Sequence, residues 1–164
     1  MQNHAATGGI FTQTAVFTAA ARAGSLPLHF HPIGGNTALC VLGTDDCPLT
    51  GPAEITSVSH GLVLNSAAVH LGEHGSIHDL AESEIYRWAN ISGYIALHRT
   101  QPISLSENRC IMHLHLVGRR LGMEQLVVYT RLADGMARID RLWHPLPGRA
   151  EDPFAATAAA LTAL

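Results

Sequence analysis

The C-terminal third of the chain contains three consecutive segments with the composition of long β-strands, and only short turns separate them. The segments are NRCIMHLHLVG (residues 108–118), MEQLVVYTRL (123–132) and MARIDRLWH (136–144). Asp134-Gly135, between the last two, is a strong hairpin signal. Strands joined by short turns run antiparallel. The sequence therefore predicts an antiparallel meander, and any fold for this chain must cover at least one face of that sheet.

The first of these segments predicts which face is covered. Successive side chains of a strand point to opposite faces, and one of the two sets is apolar throughout: Cys110, Met112, Leu114 and Leu116. The other set is mixed, with His113 and His115 between apolar residues. We expect the apolar face to be buried and the mixed face to form a pocket wall or a polar subunit interface.

The 164 residues predict a single domain, 1–164, because this length suits one hydrophobic core. Hydrophobic residues make up 47% and charged residues 14%, which is typical of a globular protein. We expect the core to span about residues 10–146, beginning with a short helix over 10–23. In the remaining tail, 147–164, Asp152 and Pro153 are suited to starting a helix.

Three further segments precede the meander. NTALCVLG (36–43) and HGLVLNSAAVHLG (60–72) both have the composition of strands. Residues 77–90 are ambiguous. Ile77, Ala81, Ile85 and Trp88 form a helical stripe behind Ser76 and Asp79, which resemble a capping box. A strand would instead place Leu80, Glu82, Glu84, Tyr86 and Trp88 on one face, and periodicity slightly favours the helix.

Composition excludes several classes of function. The chain has ten Arg and no Lys, so enzymes that form a Schiff base on lysine are excluded, and the scattered Arg residues do not form a nucleic-acid-binding stripe. Three cysteines without C-x-x-C spacing predict reduced thiols in a cytoplasmic protein. We expect neither a secretion signal nor a membrane span, because no apolar run approaches the required length.

Three segments resemble a known superfamily. LHFHPIGGNTALCVLG (28–43) resembles its apolar-aromatic-His-Pro run before the first strand, GPAEI (51–55) resembles its G-x-x-E-I helix start, and HGLVLNSAAVHLG resembles the strand that opens with His. The chain thus resembles the SnoaL-like and scytalone dehydratase-like branch of the nuclear transport factor two (ketosteroid isomerase-like) superfamily. The resemblance implies an α+β fold, a cone-shaped curved antiparallel sheet covered by N-terminal helices. It also implies a strand over 80–90, which we adopt here.

The same resemblance implies a function and a set of site residues. The expected protein binds a small apolar molecule and uses His60 as general base in a cofactor-independent dehydration, isomerisation or cyclisation. Residues 10–23 contain no carboxylate to orient that base. Candidate acid or polarising groups are Tyr86, His113 and His31, and candidate substrate-binding residues are Arg141, Trp143, His115 and Trp88. A homodimer packed sheet to sheet would cover the exposed sheet face.

The histidine pairs His29/His31 and His113/His115 raise a metal alternative, because an H-x-H pair on a strand presents two imidazoles to one ion. The pattern of the cupins fails, since no Glu follows the first pair within four residues and no P-x-G-x-x-H appears later. We therefore expect no bound metal. A His-liganded metalloenzyme and a non-catalytic ligand-binding or dimeric accessory protein remain the alternatives.

Overall fold

A computed structural model describes residues 24–34, 37–43, 49–51, 53–72, 75–89, 94–99, 101–118, 122–146 and 153–164, with side chains for most of them. The elements in chain order are β1 (Leu28–Gly34), β2 (Thr37–Leu42), β3 (Leu49–Gly51), β4 (Glu54–Ser59), β5 (Leu62–His70), α1 (Ile77–Ala89), β6 (Tyr94–Arg99), β7 (Ile103–Ser106), β8 (Arg109–Gly118), β9 (Gly122–Arg131), β10 (Met136–Leu146) and α2 (Phe154–Thr162). The helix predicted over 10–23 lies outside the described residues.

Eight of the ten strands form one antiparallel sheet. Its order is β3-β4-β5-β10-β9-β8-β6, and β7 pairs with the other half of the β8 edge. The predicted meander β8-β9-β10 is confirmed and forms the centre of the sheet with β5. β1 and β2 form a separate two-stranded hairpin.

One face of the large sheet, called here the α1 face, is covered by α1. Cys110, Met112, Leu114 and Leu116 of β8 are each 0% exposed and belong to one cluster with Ile77, Leu80 and Ala81 of α1. The prediction that this set of β8 side chains is buried is therefore confirmed. Burying apolar side chains between a helix and a sheet supplies most of the stability that such a layer gains on folding.

The opposite face, called here the hairpin face, is covered by the β1-β2 hairpin and by α2. Its cluster joins Cys40 and Leu42 of β2 to sheet residues such as Leu126 and Leu142, and to Phe154, Ala158 and Leu161 of α2. Arg109 donates from Nη2 to the carbonyl of Leu161 at 3.1 Å, which joins β8 to the C-terminal end of α2. Both faces of the sheet are thus covered within one chain.

Polar side chains attach β2 to the sheet. The Cys40 N–H donates to Ser66 Oγ (3.0 Å), and the Leu42 N–H donates to Ser57 Oγ (2.9 Å). Ser66 in turn donates to Asp140 Oδ1 at 2.6 Å, and Arg138 Nε donates to Asp140 Oδ2 at 2.8 Å. Asp140 and Ser66 are fully buried. Each buried polar group in this set therefore has a partner, as buried polar groups require.

The predicted fold class is wrong. The cone-shaped fold needs helices over one concave face, whereas here one face is covered by a helix from the middle of the chain and the other by a β-hairpin and a C-terminal helix. The strand implied over 80–90 is also wrong, because Ile77–Ala89 is helical. Glu54, expected near a helix start in GPAEI, begins strand β4 instead.

Helix α1 begins at Ile77, directly after Ser76, as the capping box of Ser76 and Asp79 predicted. Ser76 Oγ accepts from the Asp79 N–H at 3.1 Å and donates to Asp79 Oδ2 at 2.8 Å. The side chain of Ser76 thereby satisfies one of the free N–H groups of the first turn, as in a capping box. The helical interpretation that periodicity favoured is therefore correct.

Candidate functional site

His60, the predicted general base, lies in the turn between β4 and β5. Both His60 (φ 50°) and Gly61 (φ 80°) have left-handed backbone conformations, as the two-residue turn from Ser59 to Leu62 requires. The side chain is exposed, and its Nδ1 lies 2.9 Å from Ser59 Oγ. His60 thus occupies an exposed hairpin tip, and the catalytic role implied by the resemblance loses its basis.

The other predicted catalytic residues are not brought together with His60. His31 lies on β1, opposite Leu39, and is exposed. Tyr86 and Trp88 lie in α1, and their side chains are outside the described residues. His113 lies on β8, on the hairpin face, whereas α1 packs on the opposite face. The described residues thus place His31, His60 and His113 at three different places in the fold, and the catalytic roles assigned to them and to Tyr86 stay predictions.

Arg141 lies in a buried polar network on the α1 face. It donates from Nη2 to Glu84 Oε1 of α1 and from Nη1 to Asn65 Oδ1 at 3.3 Å. Tyr129 donates its hydroxyl to Glu84 Oε2 at 2.9 Å. Burial and the neighbouring Glu84 raise the pKa of Tyr129 far above its ordinary value, so it stays protonated. The network connects α1 to the sheet, and Arg141 contributes hydrogen bonds to Glu84 and Asn65.

Trp143, the other predicted binding residue on β10, lies opposite Gln125 of β9 and opposite Val63 of β5. It is partly buried. A substrate-binding role for Trp143, His115 and Arg141 stays a prediction. The small apolar ligand on which this prediction depended is not supported by the similar structures.

The densest group of chemically active side chains lies on the hairpin face, where β8, β9 and β10 adjoin. Glu124 of β9 is directly opposite His115 of β8 on one side and His144 of β10 on the other. His113, two residues before His115, lies on the same face. We call Glu124, His113, His115 and His144 the Glu124 cluster.

Glu124 is shared between histidines through both of its oxygens. Oε1 lies 2.8 Å from His113 Nε2 and 3.6 Å from His115 Nε2, and Oε2 lies 3.1 Å from His144 Nε2. The Glu124 and His113 side chains are each 12% exposed. His113 and His115 meet edge to face with ring centroids 5.2 Å apart, and His144 stacks on Phe154 of α2 at 4.3 Å.

The electrostatics of the cluster favour an ionised carboxylate. Burial alone would raise the pKa of Glu124, but the hydrogen bonds from His113 and His144, together with the charge interactions with His113 and His115, outweigh it, so the pKa lies below its ordinary value. A carboxylate among imidazole nitrogens at this depth can act as a hydrogen-bond acceptor or as a ligand to a cation.

The H-x-H pair was recognisable in the sequence, whereas Glu124 and His144 were not predicted as site residues. Strand register brings these two residues next to the H-x-H pair. Glu124 on β9 pairs with His115 on β8 and with His144 on β10. A sequence signal for them was present. In strands joined by a short turn, residues that lie equally far from the turn pair with each other, which aligns Glu124 with His115 and with His144.

A second surface feature is the outer edge of the β1-β2 hairpin. His29, Phe30, His31 and Pro32 are all exposed, and Phe30 is 47% exposed. Among the described residues, β1 pairs with β2 alone. The surface therefore presents a strand edge with an apolar side chain on it.

Comparison with known proteins places the chain by its fold. No protein-family model and no curated protein matches the sequence. The structure is similar to the Ran-binding protein Mog1p of Saccharomyces cerevisiae, with a TM-score of 0.56 and 8% identity over 83% of this chain and 89% of that chain. It is also similar to a mutant of protein Mog1, with a TM-score of 0.55 and 6% identity over 82% and 89% of the two chains.

These comparisons overturn the family inferred from sequence motifs. The similar structures are Mog1 proteins and not SnoaL-like or scytalone dehydratase-like enzymes, so the expected lyase, isomerase or cyclase function is wrong. The metalloenzyme alternative gains no support from them either. Within the described residues, no helix is long and apolar enough to cross a membrane. At this level of identity the comparisons show a shared fold, which is the fold of Mog1.

Proposed function

We propose that this chain binds another protein and that Ran is the first candidate partner. The observation that carries the proposal is the likeness to Mog1p, a Ran-binding protein, over 83% of this chain and 89% of that one. A protein partner replaces the small apolar ligand expected from the cone-shaped fold. A cytoplasmic location stays a prediction, and it is compatible with binding a protein partner.

The β1 edge is the surface that we assign to this partner. The Gly43 N–H donates to the carbonyl of Pro27 at 2.8 Å, and backbone groups alternate in direction along a strand. The groups of residues 27, 29 and 31 therefore point toward β2, and those of Leu28 and Phe30 point outward. An extended segment of a partner can pair with this edge, as in β-strand addition.

Phe30 is suited to anchor such a segment because a cation–π contact with Arg138 restrains its ring before binding. The guanidinium of Arg138 lies 4.9 Å from the Phe30 ring centroid, and Arg138 is held by its bond to Asp140. A side chain that is already ordered loses less entropy on binding. Pro32, which has no N–H to donate, limits how far pairing can extend along the edge.

The homodimer predicted from the sequence stays a prediction, but the original reason for it no longer applies. It rested on an exposed apolar sheet face, and both faces of the large sheet are covered within the chain. We propose that such a dimer would pair edge to edge through β1, which among the described residues pairs with β2 alone. Light scattering distinguishes the two states, because the monomer mass is 17.5 kDa.

The proposal is tested by measuring binding of the full chain to immobilised Ran in its nucleotide-free, GDP-bound and GTP-bound forms. We expect saturable binding to at least one form. Phe30→Ala should weaken it at least about tenfold, because a central aromatic anchor is worth about 2 kcal/mol or more. Val58→Ala is the matched control, since Val58 is 67% exposed and lies on β4 rather than on β1.

Two results would contradict the proposal. If no form of Ran binds, the candidate partner is wrong. If Ran binds equally well to the wild type and to Phe30→Ala, the assigned surface is wrong. Circular dichroism of both variants shows whether the fold is kept.

A further inference from the structure

We infer that His113, His115 and Glu124 form a binding site for one divalent transition-metal ion, Zn²⁺ being the best match, with His144 as a positioning residue behind the carboxylate. The inference concerns binding and is independent of the proposed protein partner. It reverses the absence of metal expected from the sequence, because that expectation considered the histidines without Glu124.

The three ligand atoms are already close to the separation that a metal requires. Zn–N and Zn–O bonds of about 2.0–2.1 Å in a tetrahedral site place ligand atoms roughly 3.3–3.4 Å apart. Here His113 Nε2 and His115 Nε2 lie 2.8 Å and 3.6 Å from Glu124 Oε1, and all three ligand atoms lie within 4.8 Å of one another. Small side-chain rotations therefore suffice to place all three around one ion.

His115 supplies the observation that points to a ligand. Its Nε2 atom is buried and has no hydrogen-bond partner, although 42% of the side chain is exposed. A buried polar atom without a partner is destabilising. Glu124 Oε1, at 3.6 Å, is too far away for a hydrogen bond. An ion between these atoms would satisfy His115 Nε2 directly.

A plain cluster of histidines around a carboxylate is the competing explanation. It accounts for His113 and His144, which lie within hydrogen-bonding distance of Glu124. It does not account for His115, whose ring nitrogen lies 3.6 Å from Glu124 Oε1 and is buried without a hydrogen-bond partner. An ion held by His113, His115 and Glu124 accounts for the position of His115 as well.

His144 fits a supporting role. Its Nε2 lies 3.1 Å from Glu124 Oε2, the oxygen that faces away from the other two histidines. Its ring is fixed by stacking on Phe154 at 4.3 Å with an interplanar angle of 14°. Groups that orient a ligating carboxylate in this way typically change metal affinity by about 10–100-fold when they are removed.

The donor set selects the class of metal. Two imidazole nitrogens and one carboxylate oxygen suit Zn²⁺ and neighbouring transition metals, whereas Mg²⁺ and Ca²⁺ prefer oxygen ligands. Three protein ligands leave a fourth position for water or for a group of another molecule.

The test uses the untagged full chain after treatment with a chelator. ZnCl₂ is titrated by calorimetry, and CoCl₂ is titrated by visible absorption, which reports the coordination of the bound ion. We expect one ion per chain and a higher melting temperature with zinc, since a ligand that binds the native state stabilises it. His115→Ala and Glu124→Gln should each weaken zinc binding at least about tenfold.

His31→Ala and His60→Ala are the controls, because each removes one exposed histidine outside the cluster. Both should bind zinc as the wild type does. The proposal is overturned if the wild type binds no zinc, if His115→Ala binds as well as the wild type, or if the control variants weaken binding equally. Since His115 is 42% exposed, His115→Ala should fold even if Glu124→Gln does not.

Discussion

At the scale of single residues, burial raises the thiol pKa of Cys40 and Cys110. Cys40 is 0% exposed, and burial, together with the nearby Asp140, raises the pKa of its thiol from 9.0 to about 12. We expect Cys40 in the native protein to resist alkylation by iodoacetamide at pH 8, because the reactive thiolate is nearly absent and the site is closed to solvent. Peptide mapping by mass spectrometry after a timed reaction measures this.

The same protein in urea provides the control for the Cys40 prediction, because the unfolded chain exposes the thiol at its ordinary pKa. Cys110, also buried and with a pKa raised to about 11, should behave likewise. Equal modification of Cys40 in native and unfolded protein would show that the hairpin does not cover it. The raised thiol pKa also means that the native state loses stability, relative to the unfolded chain, as the pH rises from about 9 toward 12.

The Glu124 cluster shows how far single residues can be predicted. Strand alternation correctly placed His113 and His115 on one face, but finding Glu124 and His144 required the register of two hairpins. A two-residue turn at Asp134-Gly135 would pair Ala133 with Met136, whereas Leu132 donates to Met136 at 2.9 Å and Arg131 faces Ala137. One residue of slip would have moved His144 to the other face.

At the scale of elements, composition and periodicity predicted strands and a helix correctly, whereas the resemblance to the SnoaL-like family predicted a wrong strand. The five segments assigned to strands from composition correspond to β2, β5, β8, β9 and β10. Helix α1 followed from its periodicity and its Ser76 cap, both of which act within a few residues. The strand over 80–90 was adopted from motif resemblance, against the periodicity of the same residues, which slightly favoured a helix.

The attachment of β2 to the sheet leads to a prediction at this scale. Ser66→Ala removes the acceptor for the Cys40 N–H and the donor to Asp140. Both groups would be left buried with fewer partners, and each such loss costs about 1–3 kcal/mol. We expect the free energy of unfolding to fall by about 2–4 kcal/mol, measured by urea denaturation.

Ser104→Ala is the control for Ser66→Ala, because Ser104 lies on the edge strand β7 and is exposed. It should change the free energy of unfolding by less than about 0.5 kcal/mol. A comparably small effect of Ser66→Ala would mean that packing, and not this hydrogen-bond chain, holds the hairpin on the sheet.

At the scale of the whole molecule, the order of the layers was beyond the sequence argument. The alternating pattern of β8 showed that one face must be buried, but it did not show what covers either face. Residues 40 and 161 belong to one cluster with β9 and β10, so the covering elements come from opposite ends of the described chain. Such contacts depend on tertiary packing, which local periodicity does not encode.

The last prediction concerns the cooperativity that this layering imposes. Phe154 is 2% exposed and joins α2 to the same cluster that holds β2 on the sheet. Phe154→Ala should therefore lower the free energy of unfolding by about 3–5 kcal/mol, while Leu164→Ala, at a residue that is 46% exposed, should change it little. Because the clusters share one sheet, urea curves followed by circular dichroism and by tryptophan fluorescence should coincide in the wild type. If helical signal is lost before the fluorescence changes, α2 unfolds on its own, and the hairpin face is held together by β1 and β2 without it.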